Sequence, residues 1–341
     1  MAKRSLLTAA LFIAGSFLIS APFLNKAMAE KEESQRPRID LAFCIDTTGS
    51  MQNEIDAVKS KTEEIVAKLS GAKPSPEIRV GLVAYRDRGD EYVTRVFQFS
   101  DNIDKVVEDI SSLKADGGGD EPEAVNEALH AAVNDLSWSK EKKTVKLLFL
   151  VGDAGPKAYS GDYDWQSESK DAISRGIQIN TIACDGLNRS SSGLDVFQQI
   201  AKLTDGKSEF LTYRQEIVNA QGKKSTVISS AGKLYSVDAR AADSWRKGAG
   251  ALMAGGAAAP IAMPAVAARS RSLPRAASYG VFAAAPSHSA HISGKMMKTD
   301  SYGDDSMGFA GVSRADSNLA DIVLSATKDA AFKKAGIKYK D

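Results

Sequence analysis

The sequence has few histidines and no excess of charge of either sign. These two features argue against catalysis by a histidine base and against nucleic-acid binding. The 44 Lys and Arg residues nearly balance the 43 Asp and Glu residues, leaving a net charge of +1. The basic residues are scattered, whereas a nucleic-acid-binding protein carries a basic patch or stripe, so nucleic acid is excluded as the main partner. His130 lies on a predicted helix and His288 and His291 lie in a low-complexity segment. A histidine general base therefore has no support.

Cysteine is also scarce, since only Cys44 and Cys184 are present. Both lie within apolar runs that predict buried strands, and one further strand separates them in the sheet predicted below. Two strand spacings amount to about 9.6 Å, whereas a disulfide needs Cα atoms within about 7 Å of each other. We therefore predict two buried thiols and no disulfide bond.

The first 29 residues have the pattern of a secretory signal peptide. Lys3 and Arg4 precede an uncharged, mostly apolar run, and Ala27-Met28-Ala29 has the small-x-small pattern of a cleavage site. The run is shorter than the roughly 20 residues that span a bilayer. We expect cleavage after Ala29 and a secreted or periplasmic mature protein. Its net charge falls from +1 to −2, because the segment holds three basic residues and no acidic one.

Between residues 39 and 213, short apolar runs alternate with amphipathic stretches of helical period, which predicts a doubly wound α/β fold. We expect a mostly parallel six-stranded sheet flanked by helices. The run at residues 145–151 is almost wholly apolar, as a central strand covered on both faces must be. The polar turn at residues 86–90 predicts a hairpin with an antiparallel edge strand. The predicted strands are residues 39–45, 78–85, 92–99, 145–151, 178–184 and 208–212, and the predicted helices are residues 51–69, 103–113, 121–136, 165–175 and 194–203.

The remaining chain predicts a low-complexity C-terminal tail. Residues 214–247 predict a small extension that could hold a hairpin and a helix. Residues 248–313 are mostly Ala, Gly, Pro and Ser, with too few large apolar groups to offset the entropy of ordering, so we interpret them as a disordered linker. Residues 314–341 regain helical period and predict a C-terminal helix. No stable membrane span is expected after signal cleavage, because the uncharged residues 249–268 are weakly apolar and interrupted by prolines.

Acidic and hydroxyl side chains follow two predicted strands and precede one predicted helix. Asp46, Thr48 and Ser50 follow the first strand, Asp153 follows the central strand, and Asp120 precedes a helix. These positions meet at the carboxyl edge of an open α/β sheet, where ligands collect. Two carboxylates about 5 Å apart repel by about 3 kcal/mol at an effective dielectric constant of 20, and a divalent cation would reverse that repulsion. Hard oxygen ligands suit Mg²⁺ first, with Mn²⁺ or Ca²⁺ as alternatives.

The sequence DTTGS at residues 46–50 resembles the Asp-x-Ser/Thr-x-Ser signature of the metal-ion-dependent adhesion site (MIDAS) in von Willebrand factor A (VWA) domains. Residues 85–90 and 117–123 resemble the subgroup found in hemicentins and in the VWA part of alpha-kinases. The resemblance covers residues 39–213. It implies the Rossmann-like VWA fold over that range and says nothing of the rest.

The resemblance also implies a role for individual residues. Asp46, Thr48 and Ser50 match the first metal-binding segment, and Asp153 matches the aspartate that acts through a water molecule. Asp120 stands where adhesion-type members have a Thr, which leaves open whether it is a ligand. In the family, an acidic side chain of a protein partner completes the coordination of the ion.

Each segment also has a purely structural interpretation. Ser50 could cap the helix that follows it, and Asp120 with Glu123 could form a capping box at the next helix. Asp153 could be an ordinary turn residue. The coincidence of all three segments at one edge of one sheet favours a metal site.

The acidic and hydroxyl residues at the carboxyl edge of the predicted sheet predict a function that depends on a metal ion. The favoured hypothesis is a non-enzymatic, extracytoplasmic protein-binding module, for adhesion or as a scaffold, that uses a MIDAS-type divalent cation site. The alternative is a metal-dependent, phosphatase-like hydrolase that uses Asp46, but the haloacid dehalogenase type of such enzymes needs a second Asp where Thr48 stands. A third hypothesis is a scaffold subunit of an envelope assembly, tethered by the linker and the last helix.

Overall fold

The computed structural model describes residues 36–119, 122–161, 163–187, 192–219, 224–237, 244–247, 258–261 and 309–339. The predicted signal peptide, most of the predicted linker and the predicted site residue Asp120 lie outside these residues. No helix in the described ranges is both long enough and apolar enough to cross a membrane.

A six-stranded sheet in the order β3-β2-β1-β4-β5-β6 forms the centre of the first domain. Neighbouring strands are parallel except for the pair β2 and β3, which is antiparallel. This arrangement confirms the predicted mostly parallel sheet with its antiparallel edge strand. The strands are β1 (Arg38–Asp46), β2 (Glu77–Tyr85), β3 (Thr94–Ser100), β4 (Val145–Gly152), β5 (Ile177–Ala183) and β6 (Ser208–Phe210).

Helices cover both faces of this sheet because its central strands are apolar on both sides. In β1, Leu41, Phe43 and Ile45 pack into one hydrophobic core, and Ala42 and Cys44 pack into the other. The first core is covered by α1 and α2, and the second by α3, α4 and α5. These helices are α1 (Gln52–Ser70), α2 (Ile103–Ser111), α3 (Val125–His130, continued by a π-helical turn at Ala131–Asp135), α4 (Trp165–Ser174) and α5 (Gly193–Leu203).

The two cysteines are buried free thiols, which confirms the prediction that no disulfide forms. Cys44 lies on β1, Cys184 follows β5, and β4 lies between these strands. The two side chains also belong to different hydrophobic cores.

Two helices begin later than the sequence predicts, and both differences concern the candidate site. α3 begins at Val125 with Ala124 as its N-cap, and no side chain caps it, so Glu123 lies outside the helix and the capping-box interpretation is wrong. α1 begins at Gln52, its N-cap is Met51, and again no side-chain cap bond forms. Ser50 therefore does not cap α1.

A second, five-stranded sheet follows, in the order β10-β9-β8-β7-β11, with antiparallel neighbours throughout. The predicted hairpin is thus part of a larger sheet. β10 and the beginning of β11 lie within residues 248–313, so the prediction of a disordered linker is wrong for residues 258–261 and 309–313. The strands are β7 (Thr212–Asn219), β8 (Lys224–Ser230), β9 (Lys233–Val237), β10 (Ala258–Ile261) and β11 (Phe309–Ser317).

The C-terminal helix α6 (Leu319–Ala335) packs on the first domain beside α1. Leu319, Val323, Ala326 and Ala331 are buried in the same hydrophobic core as β1 and α1. Residues 314–317, which the sequence places in the helix, belong to β11 instead. The described part of the C-terminal segment is therefore integral to the domain rather than a free tether.

Candidate metal centre

The end of β1 places the first two candidate ligands in the protein interior. Asp46 is the last residue of β1 and is 0% exposed, since β2 and β4 flank it. Its Oδ1 accepts hydrogen bonds from the Thr48 backbone N at 2.8 Å and from Thr48 Oγ1 at 2.7 Å. Its Oδ2 is buried and has no hydrogen-bond partner among the described residues. Ser50 is exposed on the same turn.

The end of the neighbouring strand β4 brings a second acidic residue to the same edge. β1 and β4 are parallel, with Ile45 opposite Val151, so Asp46 lies level with Gly152 and Asp153 comes one residue further along. Asp153 is 4% exposed. A Cβ built on Gly152 would lie 3.6 Å from Asp46 Cβ and 2.5 Å from the Tyr85 hydroxyl. A side chain at position 152 would therefore force the buried Tyr85 hydroxyl to move.

The electrostatics of this edge disfavour two negative charges without a counterion. Burial raises the pKa of Asp46 to about 8, and the charge of Asp153 adds to the rise. A divalent cation would favour the ionised form of both aspartates and would satisfy the unpaired Asp46 Oδ2. The residues present therefore fit a hard cation. Within the described ranges, no group of three or more His, Cys, Asp or Glu side chains is arranged to hold an ion, so the donor set would combine two carboxylates with the hydroxyl of Thr48.

Backbone hydrogen bonds join the loop after β1 to the loop after α2. Asp116 N donates to Thr47 O at 3.1 Å, and Gly49 N donates to Gly117 O at 3.2 Å. The buried Arg86 guanidinium also spans both loops, with Nε donating to Thr47 O at 3.2 Å and Nη2 to Lys114 O at 2.8 Å. The loop after β1 thus contacts the described part of the glycine-rich loop, whereas Asp120 lies outside the described residues and its place at the site stays a prediction.

The loop between β2 and β3 fixes the conformation of the glycine-rich segment. The Asp90 carboxylate accepts from Gly118 N at 3.1 Å and from Asp87 N at 3.1 Å. Gly117 has a φ of +74°, and a Cβ there would clash with the Asp90 carboxylate. The loop between β2 and β3, which the sequence predicts to be a simple hairpin turn, therefore holds the glycine-rich segment in place beside the candidate metal site.

Glu123, in the loop between α2 and α3, is a further acidic residue close to the candidate site. It is 3% exposed, and its Oε2 is buried without a hydrogen-bond partner in the described structure. A Cβ built on Gly118 would lie 2.6 Å from Thr48 Cβ and 3.0 Å from Glu123 Oε1, so Thr48 and Glu123 border the same space. Burial raises the pKa of Glu123 to about 9, and the charge of Asp46 adds to the rise.

Sequence reasoning did not identify Arg86, Asp90 or Glu123 as site residues. All three lie in the segments at residues 85–90 and 117–123, whose resemblance to one subgroup was the only available signal. Their local patterns are typical of turns and helix caps. Their positions near the site depend on contacts between loops that are distant in sequence.

Comparison with known proteins identifies the family to which the first domain belongs. A family model described as von Willebrand factor A domain matches residues 40–212, just over half of this chain. The mouse von Willebrand factor A domain-containing protein 7 is 35% identical over 121 residues, which is 36% of this chain and 12% of that protein. The alpha-protein kinase vwkA of Dictyostelium discoideum is 23% identical over 197 residues, covering 55% of this chain and 31% of the kinase. The chain thus spans only a small part of the length of these relatives.

Solved structures are similar over about half of the chain. Proximal thread matrix protein 1 from the mussel byssus, solved with a zinc-occupied MIDAS motif, is 18% identical with a TM-score of 0.40, covering 52% of this chain and 42% of that one. The protein BatB from Bacteroides thetaiotaomicron is 14% identical with a TM-score of 0.37, covering 51% of this chain and 89% of that one.

Proposed function

Because this chain belongs to the von Willebrand factor A domain family, we propose that it is an extracytoplasmic protein-binding module whose binding depends on a divalent cation. The unpaired, buried Oδ2 of Asp46 beside Asp153 is the observation that carries the proposal. Asp46, Thr48 and Asp153 would hold the ion together with Ser50, and Mg²⁺ suits these oxygen donors best, with Mn²⁺ or Ca²⁺ as alternatives. An acidic side chain of a protein partner would complete the coordination.

A thermal unfolding series tests the cation site. Addition of Mg²⁺ or Mn²⁺ to chelator-treated protein is expected to raise the unfolding midpoint, and Asp46→Ala is expected to remove the rise. A ligand at ten times its dissociation constant stabilises a protein by about 1.4 kcal/mol, which corresponds to a few degrees for a domain of this size. Absence of any shift with Mg²⁺, Mn²⁺ and Ca²⁺ would contradict the proposal.

Capture of binding partners with and without chelator tests the proposed function itself. A partner retained in Mg²⁺ and released by chelator is expected for the wild-type protein, and Asp46→Ala should retain none. Hydrolysis of a generic phosphate ester that Asp46→Asn abolishes would favour the hydrolase instead. The complete burial of Asp46 and its hydrogen bonds to Thr48 favour a ligand over a nucleophile.

The extracytoplasmic location is supported by the N-terminal sequence pattern alone. N-terminal sequencing of protein recovered from the native host should give a chain that begins at Glu30. A mature chain that retains residues 1–29 would contradict cleavage at this point.

A further inference from the structure

Glu123 is a buried carboxyl beside the metal centre that has no part in the coordination proposed above. Its Oε2 has no hydrogen-bond partner among the described residues. An unpaired buried oxygen lowers the stability of the folded protein, and an unsatisfied polar atom often marks an unseen ligand or water. Its neighbour across the site, Asp46 Oδ2, is buried and unpaired in the same sense. Each of these two buried carboxyls therefore has an oxygen that a bound ion or its coordinated water could satisfy.

The backbone holds Glu123 in this position independently of its side chain. Glu123 N donates to Gly155 O at 3.0 Å, and Lys157 N donates to Glu123 O at 2.8 Å. These bonds attach Glu123 to the segment that directly follows Asp153. On its other side, Gly118 leaves open the space that Glu123 Oε1 and the Thr48 side chain border. The carboxyl is therefore positioned against two of the three site segments.

We propose that Glu123 is an outer-shell carboxylate of the metal site, whose Oε2 accepts a hydrogen bond from a water molecule on the bound ion. This inference rests on the proposed function. An outer-shell role is favoured over direct coordination because the described acidic side chains form no group of three that could hold one ion. An outer-shell carboxylate strengthens ion binding by orienting a coordinated water and by adding negative charge near the ion.

Calorimetric titration of the metal-free protein with Mn²⁺ tests this role. Glu123→Gln is expected to bind Mn²⁺ at least about tenfold more weakly than wild type, as losses of outer-shell partners do. Glu108→Gln removes an exposed carboxylate on α2 and serves as the matched control for the loss of one charge, with an unchanged Mn²⁺ affinity expected. Glu123→Ala provides a second variant that cannot accept the hydrogen bond.

The unfolding midpoint without metal separates a positioning role from a structural one. The Glu123→Gln midpoint should equal or exceed that of wild type at neutral pH, because burial already favours the uncharged side chain. A lower midpoint with unchanged Mn²⁺ affinity would overturn the proposal and make Glu123 purely structural. Wild-type Mn²⁺ affinity in Glu123→Gln, with binding lost in Asp46→Asn, would disprove the outer-shell role and leave the proposed function standing. Failure of the wild-type protein to bind Mn²⁺ would instead contradict the proposed function.

Discussion

At the scale of single residues, Glu54 is a buried acid whose protonation should control stability. It lies in the first turn of α1, where the Tyr213 hydroxyl donates to its Oε1 at 3.3 Å, and its Oε2 has no partner within the described structure. Burial raises the pKa of Glu54 from 4.5 to about 8. The uncharged form is therefore favoured in the folded state, so its contribution to stability is complete below pH 4.5 and is lost as the pH rises through 8.

We predict that Glu54→Gln removes part of the pH dependence of stability. Relative to the variant, chelator-treated wild type should lose on the order of a few kcal/mol of unfolding free energy between pH 4.5 and pH 8.5. Urea unfolding at several pH values measures the difference. Glu63→Gln, an exposed position on the same helix, should follow wild type at every pH. A parallel pH dependence in Glu54→Gln and wild type would show that Glu54 ionises freely.

The residues of the candidate site were predictable in part. Asp46, Thr48 and Asp153 follow strands, and the rule that strand ends meet at one edge places them together without any coordinates. Glu123 could not be assigned in this way, because its sequence context is also that of a helix cap. Its position depends on the backbone bonds to Gly155 and Lys157, which connect segments that no local pattern relates.

At the scale of elements, the parallel sheet was predictable because its strands are apolar on both faces and therefore distinct from the amphipathic helices between them. The second sheet was not. β7 pairs with β11 between Phe309 and Ser317, and the sequence around β10 and β11 is rich in Ala, Gly and Ser. A segment with few large apolar residues shows no hydrophobic period of either a strand or a helix, so its pairing could not be read from the sequence.

The helix α6 should be necessary for the stability of the first domain. We predict that Leu319→Ala lowers the unfolding free energy by about 2–5 kcal/mol, because Leu319 is fully buried in the shared core. Phe332→Ala on the same helix removes a side chain that is 57% exposed and should change stability little. Chemical denaturation of both variants checks the prediction, and equal stability of the two would contradict integral packing of α6.

At the scale of the whole molecule, the C-terminal helix α6 supplies part of the hydrophobic core of the domain that carries the candidate metal site. Removal of residues 319–341 should therefore expose the core shared with α1 and yield insoluble or unfolded protein. A truncated protein that folds and still binds a divalent ion would instead favour the tethered scaffold. Circular dichroism of the two chain lengths distinguishes these outcomes.

The proposed function requires that one divalent ion binds between the ends of β1 and β4. Counting the ions bound per chain tests it most directly, with chelator-treated wild type and Asp153→Asn dialysed against Mn²⁺ and analysed for protein-bound metal. We expect one ion per wild-type chain and a large loss of bound metal in Asp153→Asn. Equal metal content in the two proteins, or none in wild type, would contradict it.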